Sequence, residues 1–418
     1  MSEVSDFLEG EVVLFTHEGG EGELKPGHPS FFIETENAAH ILEEITLFLA
    51  RHFVYAGSTP SRHTWAAAAQ ALRTWLQFLQ AIGRFWRDAT AQDRIDYREA
   101  YKIAYSPRTG EQYDAGTISS RMSIIRELYV YGRSSGWYDG DIGENVELVP
   151  EQTGKRGKGR LTGQKDRDLP KARKSSVIHP ISPLPLQALL AFAGPRASQP
   201  GNDARSPRDR LTMDCGWAAG LRVGEIANLT TLQFLSLSPD PEALYADLPI
   251  TILRKGGVKK IVAMPTWLVM DILAYIEGER AASLRAAEVS ARNAPITLFL
   301  THPDSNRAGR RLSISRMQGM FEEACLATGL VKHFKFRDEN GETTQRMRAR
   351  HCIHDLRHTY AVYTYHAEVL NGNSEPWKKI QAQLGHENLE TTIQIYLAYV
   401  EIFSKKPGLI NVRKMLGV

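Results

Sequence analysis

Between Pro150 and Ser176 the chain carries almost no apolar side chain, and this interruption constrains the fold more than any other feature. A hydrophobic core cannot run through a Gly-, Lys- and Arg-rich stretch, so the apolar patterns on either side must bury themselves in separate bodies. At 418 residues, both can reach ordinary domain size. With 42% hydrophobic and 24% charged residues, wholesale disorder is not expected. No apolar run approaches the roughly 18 residues of a membrane-spanning helix.

The net charge of +3 is unevenly placed. Residues 1–40 carry nine Asp/Glu against Lys25 alone, a balance of −8, so the remainder stands at +11. Within it, residues 155–174 hold nine Lys/Arg against Asp166 and Asp168. Such a block can neutralise phosphates and release their counterions; a solvated basic linker that touches nothing is the other reading. Met1 to Gly10 is acidic and lacks a secretory pattern. The three cysteines (Cys215, Cys325, Cys352) are odd in number and far apart, which suits a reducing compartment. The expected location is therefore cytoplasmic.

Residues 1–36 read as a loose acidic extension with no sustained period. Helical patterning fills the next hundred residues. Trp65, Ala69, Leu72, Leu76 and Leu79 form one stripe, and Ile118, Met122, Ile125 and Tyr129 form another behind Thr117 as candidate N-cap. Arg121 and Arg126 fall elsewhere on that second cylinder. Past the linker, helices are expected at about Pro185, Asp209–Ala227, 268–293, Ser313–Thr328, His354–Tyr365, Glu375–Leu384 and Leu389–Val400. Ile250–Arg254 and Val258–Pro265, joined through Gly256-Gly257, read as a hairpin, and Ile296–Leu300 as a short strand.

Four segments carry the chemistry. They are Ala219-Gly220-Leu221-Arg222-Val223-Gly224-Glu225-Ile226; the hairpin with Lys255; His354-Asp355-Leu356-Arg357-His358-Thr359; and Leu384-Gly385-His386 followed by Thr391-Thr392 and Tyr396. In this order and at these separations they resemble the tyrosine recombinase (phage integrase) family, by motif over about residues 180–400. Residues 38–150 match only the general look of that family's helical core-binding domain.

The residue types fit attack on a phosphodiester. Charge grows there on the non-bridging oxygens, so several preorganised cations, a nucleophile and a proton donor for the leaving oxygen are needed. Arginine stays ionised and grips two oxygens at once. His354 and Arg357, three apart, share one helix face. A phenol is a weak nucleophile at neutral pH and needs surrounding cations. His351, Cys352, His354 and His358 also cluster, but no second Cys/His pair at zinc-finger spacing accompanies them, so no metal is expected.

The resemblance implies the rest. Arg222, Arg357 and His386 stabilise the phosphorane-like state, Lys255 and His354 move protons, and Tyr396 attacks to form a 3′-phosphotyrosyl bond without cofactor. Lys259 and Lys260 rival Lys255, because the turn has an extra glycine compared with the family's tighter version. The implied fold is mainly α with a small antiparallel β-sheet, arranged as a two-domain C-shaped DNA clamp. Its parts are the extension (1–36), a SAM-like core-binding domain (37–150), the basic linker (151–177), a catalytic domain (178–402) and a tail (403–418). Expected DNA contacts are Arg121, Arg126, Lys155, Arg156, Lys158, Arg160 and Lys259. Helix 117–133 and the region around Ser313–Arg316 are candidates for touching bases.

The implied partners are double-stranded DNA with specific recombination sites, a tetramer of this chain on DNA, and accessory proteins. The implied place is the nucleoid, and the owner a mobile element or a chromosome-dimer resolution system. A type IB topoisomerase-like nicking enzyme and a catalytically silent DNA-binding protein remain alternatives. Two features depart from the family pattern: the acidic start, and the Glu368–Trp377 interval with its Asn371-Gly372-Asn373 turn. The tail, with Leu409, Ile410, Val412 and Met415, docks on a neighbouring protomer or packs on its own domain.

Overall fold

In the computed structural model the chain is mainly helical, with small sheets, and divides into two units. One comprises Met1–Lys174 with Lys335–Thr344, the other Ser175–Phe334 with Gln345–Val418. The structure describes all residues except 1–2, 20–23, 57–60, 107–108, 144–145, 149–163, 167, 171–177, 255–256, 338–341, 386–392 and 394–418.

The first unit opens with α1 (Glu3–Glu9) and an antiparallel sheet of β1 (Glu11–Thr16), β2 (Pro29–Glu34) and β3 (Ala39–Ile41), in that order. This corrects the expected loose extension. Val12 pairs with Ile33, and with Phe7 and Phe31 both join one core with the helices that follow. The amide of Gln80 ties the segment down by donating to the carbonyls of Phe7 and Gly10 at 2.5 and 2.8 Å. Acidic and glycine residues hid a period-two pattern too short to stand out.

The helices are α2 (Glu43–Leu49), α3 (Arg62–Ala81), α4 (Ala91–Ile103) and α5 (Ala115–Ser135). Both expected apolar stripes are buried. The cap of α5 is Asp114 rather than Thr117: its carboxylate accepts from the Thr117 backbone at 2.9 Å and from the Thr117 hydroxyl at 2.7 Å. A carboxylate three residues upstream outcompetes a hydroxyl as acceptor for the free N–H groups of the first turn.

Part of the expected linker also folds. Strand β4 (Val146–Leu148) pairs with β5 (Gln164–Asp166), and the buried Asp166 carboxylate contacts Arg94, which is itself fully buried. Arg94 also donates to the Gly143 carbonyl at 3.2 Å. A guanidinium without water needs a carboxylate beside it, and Asp166 supplies it.

The second unit contains α6 (Pro183–Ala193), α7 (Pro207–Trp217), α8 (Val223–Ala227), β6 (Asp247–Leu253), β7 (Lys259–Pro265) and α9 (Thr266–Tyr275). A π turn (Ile276–Arg280) leads from α9 into α10 (Ala281–Ala286), followed by α11 (Ile314–Ala327). Then come β8 (Val331–Arg337) and β9 (Thr343–Ala349), of which Lys335–Arg337 and Thr343–Thr344 count with the first unit, followed by α12 (His354–Leu370) and α13 (Pro376–Leu384). The β6–β7 pair is antiparallel, with Leu253 opposite Lys259. The expected helix 209–227 is broken after Trp217. The expected strand at Ile296–Leu300 makes only isolated bridges, Thr230 to Thr297 and Leu300 to Arg311. The β8–β9 hairpin was not foreseen at all. Leu211, Leu221, Ile226, Ile250, Val262, Phe321, Leu356, Ile380 and Leu384 share one core, which ties the helices to the hairpin.

Candidate active site

The site grows from a break in the chain. Helix α7 ends at Trp217, and Gly220 turns at φ +67°, where a Cβ would come within 2.7 Å of the Tyr360 ring. Only glycine serves both the conformation and the close approach. The turn sets Arg222 at the head of α8 and leaves the Gly220 carbonyl to accept from Nη1 of Arg357 at 2.6 Å.

Glu225, 5% exposed, gathers the cations. It accepts from the Arg222 backbone at 2.9 Å and from Arg222 Nη1 at 3.0 Å, which fixes Arg222 at the head of α8. Nε of Arg254 stands 3.6 Å and Nη1 of Arg357 3.7 Å from its oxygens. Three guanidinium groups thus surround one carboxylate, which leaves an excess of positive charge. The Arg222 side chain is 41% exposed and that of Arg357 2%, so Arg222 presents this charge to solvent while Arg357 is held rigidly below it.

The C-terminal end of α13 completes the frame. The Leu384 carbonyl accepts from Nη2 of Arg357 at 2.6 Å and from Nη1 of Arg254 at 2.9 Å, and the Gln383 carbonyl accepts from Arg254 at 2.6 Å. Cations suit a helix C-terminus, where carbonyls lack intrahelical partners. Gly385 caps the helix at φ +64° and directs the chain toward His386. The Gln383 side chain links the frame to the hairpin: its Oε1 accepts from the Ala263 backbone and its amide donates to the Ala219 carbonyl, each at 2.8 Å. Sequence reasoning missed Arg254 and Gln383. Their only signal was position, one residue before Lys255 and two before Gly385.

His354 and Arg357 begin α12. Asp355 holds that first turn, accepting from the Cys352 backbone at 3.1 Å and lying 3.3 Å from the His351 ring. His354 is exposed, with its ring edge-on to His358 at 4.8 Å. Desolvation, then Arg357 and Arg222, lowers the His354 pKa; burial, then His354, pushes His358 down to about 4. Both imidazoles are therefore neutral at pH 7, so His354 can accept or donate one proton. Among the described residues, no three His, Cys, Asp or Glu side chains are grouped as metal ligands would be.

Of the six expected catalytic residues, the structure brings Arg222 and Arg357 together around Glu225, with His354 one turn before Arg357. Lys255, His386 and Tyr396 lie outside the described residues, as do Lys155, Arg156, Lys158 and Arg160. Lys259 is exposed at the start of β7. In the first unit, Arg121 lies between the rings of Tyr101 and Tyr113, 4.8 and 4.7 Å from their centroids, and Arg126 is 3.7 Å from Asp166. Both arginines are thus engaged in packing that the sequence did not show.

Residues 186–401, just over half the chain, match the model of the phage integrase family. Tyrosine recombinase XerC of Shewanella oneidensis is 28% identical over 198 residues, covering 47% of this chain and 49% of that protein. Its counterpart from Chlamydia pneumoniae is 26% identical over 188 residues, covering 44% and 45%. The chain thus spans about half the length of the curated relatives it matches. A crystal structure of the XerH site-specific recombinase bound to palindromic difH substrate, a post-cleavage complex, superposes with a TM-score of 0.50 at 15% identity. It covers 82% of this chain and 79% of that one, a likeness of fold. Among the described residues no helix is long and apolar enough to cross a membrane.

Proposed function

The chain belongs to the phage integrase family, and on that footing we propose that it is a site-specific DNA recombinase working through a covalent tyrosine intermediate. The observation that supports this reading most directly is the convergence of Arg222, Arg254 and Arg357 on one buried carboxylate, beside the Leu384-Gly385 turn that leads toward His386 and Tyr396. An excess of fixed positive charge is what a phosphate in transition needs, because preorganised cations cost no reorganisation when charge develops.

In this mechanism the Tyr396 hydroxyl attacks the scissile phosphorus. The bond to the 5′ oxygen breaks, and Lys255 donates a proton to the departing oxygen. His354, neutral at pH 7, exchanges the phenolic proton. Arg222, Arg357 and His386 carry the charge on the non-bridging oxygens. The 3′-phosphotyrosyl bond keeps the energy of the broken bond, so a 5′ hydroxyl from a partner duplex can reverse the step without ATP. Exchange between two duplexes calls for four active sites, hence a tetramer on DNA with its specific sites. Action on DNA places the protein in the cytoplasm with the nucleoid. The basic side chains Arg121, Arg126, Lys155, Arg156, Lys158, Arg160 and Lys259 are proposed to meet phosphates.

The test is a nicked duplex carrying the DNA that flanks this chain's own gene. A denaturation-resistant protein–DNA adduct should accumulate, and Tyr396→Phe should abolish it while duplex binding persists. An adduct that survives Tyr396→Phe overturns the assignment.

A further inference from the structure

The β8–β9 hairpin, absent from the sequence reading, carries a charge pattern that the catalytic constellation does not use. Its strands, VKHFKFR and TTQRMRA, hold five Lys/Arg and no Asp/Glu. Successive side chains of a strand point to opposite faces, so Lys332 and Phe334 share one face of β8, and Arg346 and Arg348 share one face of β9. The guanidinium of Arg348 lies 4.8 Å from the centroid of the Phe334 ring, which places the two faces on the same side of the ribbon. Lys332, His333, Arg346 and Met347 are exposed.

One side of the stem thus combines cations with an aromatic ring that holds one of them in place. The acidic residues Asp338, Glu339 and Glu342 sit between the strands in sequence, so the favourable charge belongs to the stem. A two-stranded ribbon fits the major groove of B-DNA, roughly 12 Å wide. Position adds a constraint: His354 follows Arg346 by eight positions, a reach of at most about 28 Å of chain. At roughly 3.4 Å per base pair that is about eight base pairs.

We propose that the stem of this hairpin is a DNA-docking ribbon, with Lys332, Arg346 and Arg348 meeting backbone phosphates within about eight base pairs of the cleaved bond. The proposal rests on the recombinase reading and adds to it an element that sets the enzyme's register on the duplex. Phosphate contacts of this kind position a protein without reading sequence.

The experiment measures binding of the full chain to a labelled mixed-sequence duplex across a salt series, for the wild type and for Lys332→Ala/Arg346→Ala. Each lost phosphate contact should flatten the slope of log K against log salt by about 0.9, so the double variant should lose about 1.8. In parallel, a photo-crosslinking residue replacing Thr344, exposed on the same face as Arg346 and Arg348, in the otherwise wild-type chain should attach to the duplex under light. An unchanged slope, or a crosslink to a second copy of the chain instead of DNA, overturns the ribbon. If the wild type forms the Tyr396 adduct while the ribbon fails these tests, the recombinase reading stands without it; absence of the adduct sinks that reading instead.

Discussion

The guanidinium of Arg254 occupies the space into which a side chain at Gly385 would have to grow. The two residues are 131 positions apart, yet the turn toward His386 has the shape that Arg254 allows. Arg254 hydrogen-bonds the last two carbonyls of α13, and Gly385 ends that helix in the left-handed region. The end of β6 and the C-terminal turn of α13 are thus tied together by one cation.

Gly385→Ala should therefore damage more than a helix cap. The left-handed conformation alone costs a non-glycine residue at least about 1 kcal/mol, and the new methyl group displaces Arg254. We expect a lowered melting temperature and a loss of covalent adduct out of proportion to it. An adduct yield that merely tracks the folded fraction would show that the turn is structural only.

Glu225→Gln keeps the shape and the hydrogen bond to the Arg222 backbone but leaves three guanidinium groups without their carboxylate. Breaking a buried ion pair by removing one partner costs about 3–5 kcal/mol. Denaturant unfolding of this variant should show a loss of that order, and a change below about 1 kcal/mol would mean that solvent already screens the cluster.

Asp166→Ala tests the folded part of the basic segment. It takes the nearer carboxylate from Arg94, which is fully buried, and leaves it Asp168 at 3.8 Å, so a destabilisation of about 3 kcal/mol is expected in the first unit. If residues 164–166 were loosely attached, unfolding curves would not move.

Stability should also fall on acidification. The pKa of His358 is about 4 in the folded chain, and His28, His354 and His366 are lowered as well. An unfolded histidine, near 6.5, takes up a proton first, so stability is fully present above about pH 6.5 and is lost as pH falls toward 4. The slope is at most about 1.4 kcal/mol per pH unit for each histidine. His358→Gln should flatten the profile between pH 6 and about 4; a profile parallel to the wild type's would show that His358 titrates normally.

Much of this protein was legible along the chain. Apolar spacing marked α3, α5, α11, α12 and α13, because helices that bury one face must repeat their side chains at that period. The Gly-Gly pair marked the β6–β7 hairpin, and the order of Gly220-Leu221-Arg222, His354 to Arg357 and Leu384-Gly385 marked the site. What stayed hidden had no local signature. The sheet β1–β2–β3 is short and its sequence neighbourhood acidic and glycine-rich, while β8 interleaves cations with aromatics and β9 is mostly polar.

The sequence by itself determined which side chains are available: the arginines, histidines and tyrosine of the constellation, and the two bodies forced by an apolar-poor segment. Only the tertiary structure decided which cations meet. Arg254 joins Arg222 and Arg357 because a buried carboxylate at 225 and the open carbonyls of α13 must be satisfied away from water. Burial makes such charges and carbonyls find partners far off along the chain, and that pairing depends on three-dimensional distance, which spacing in sequence does not encode.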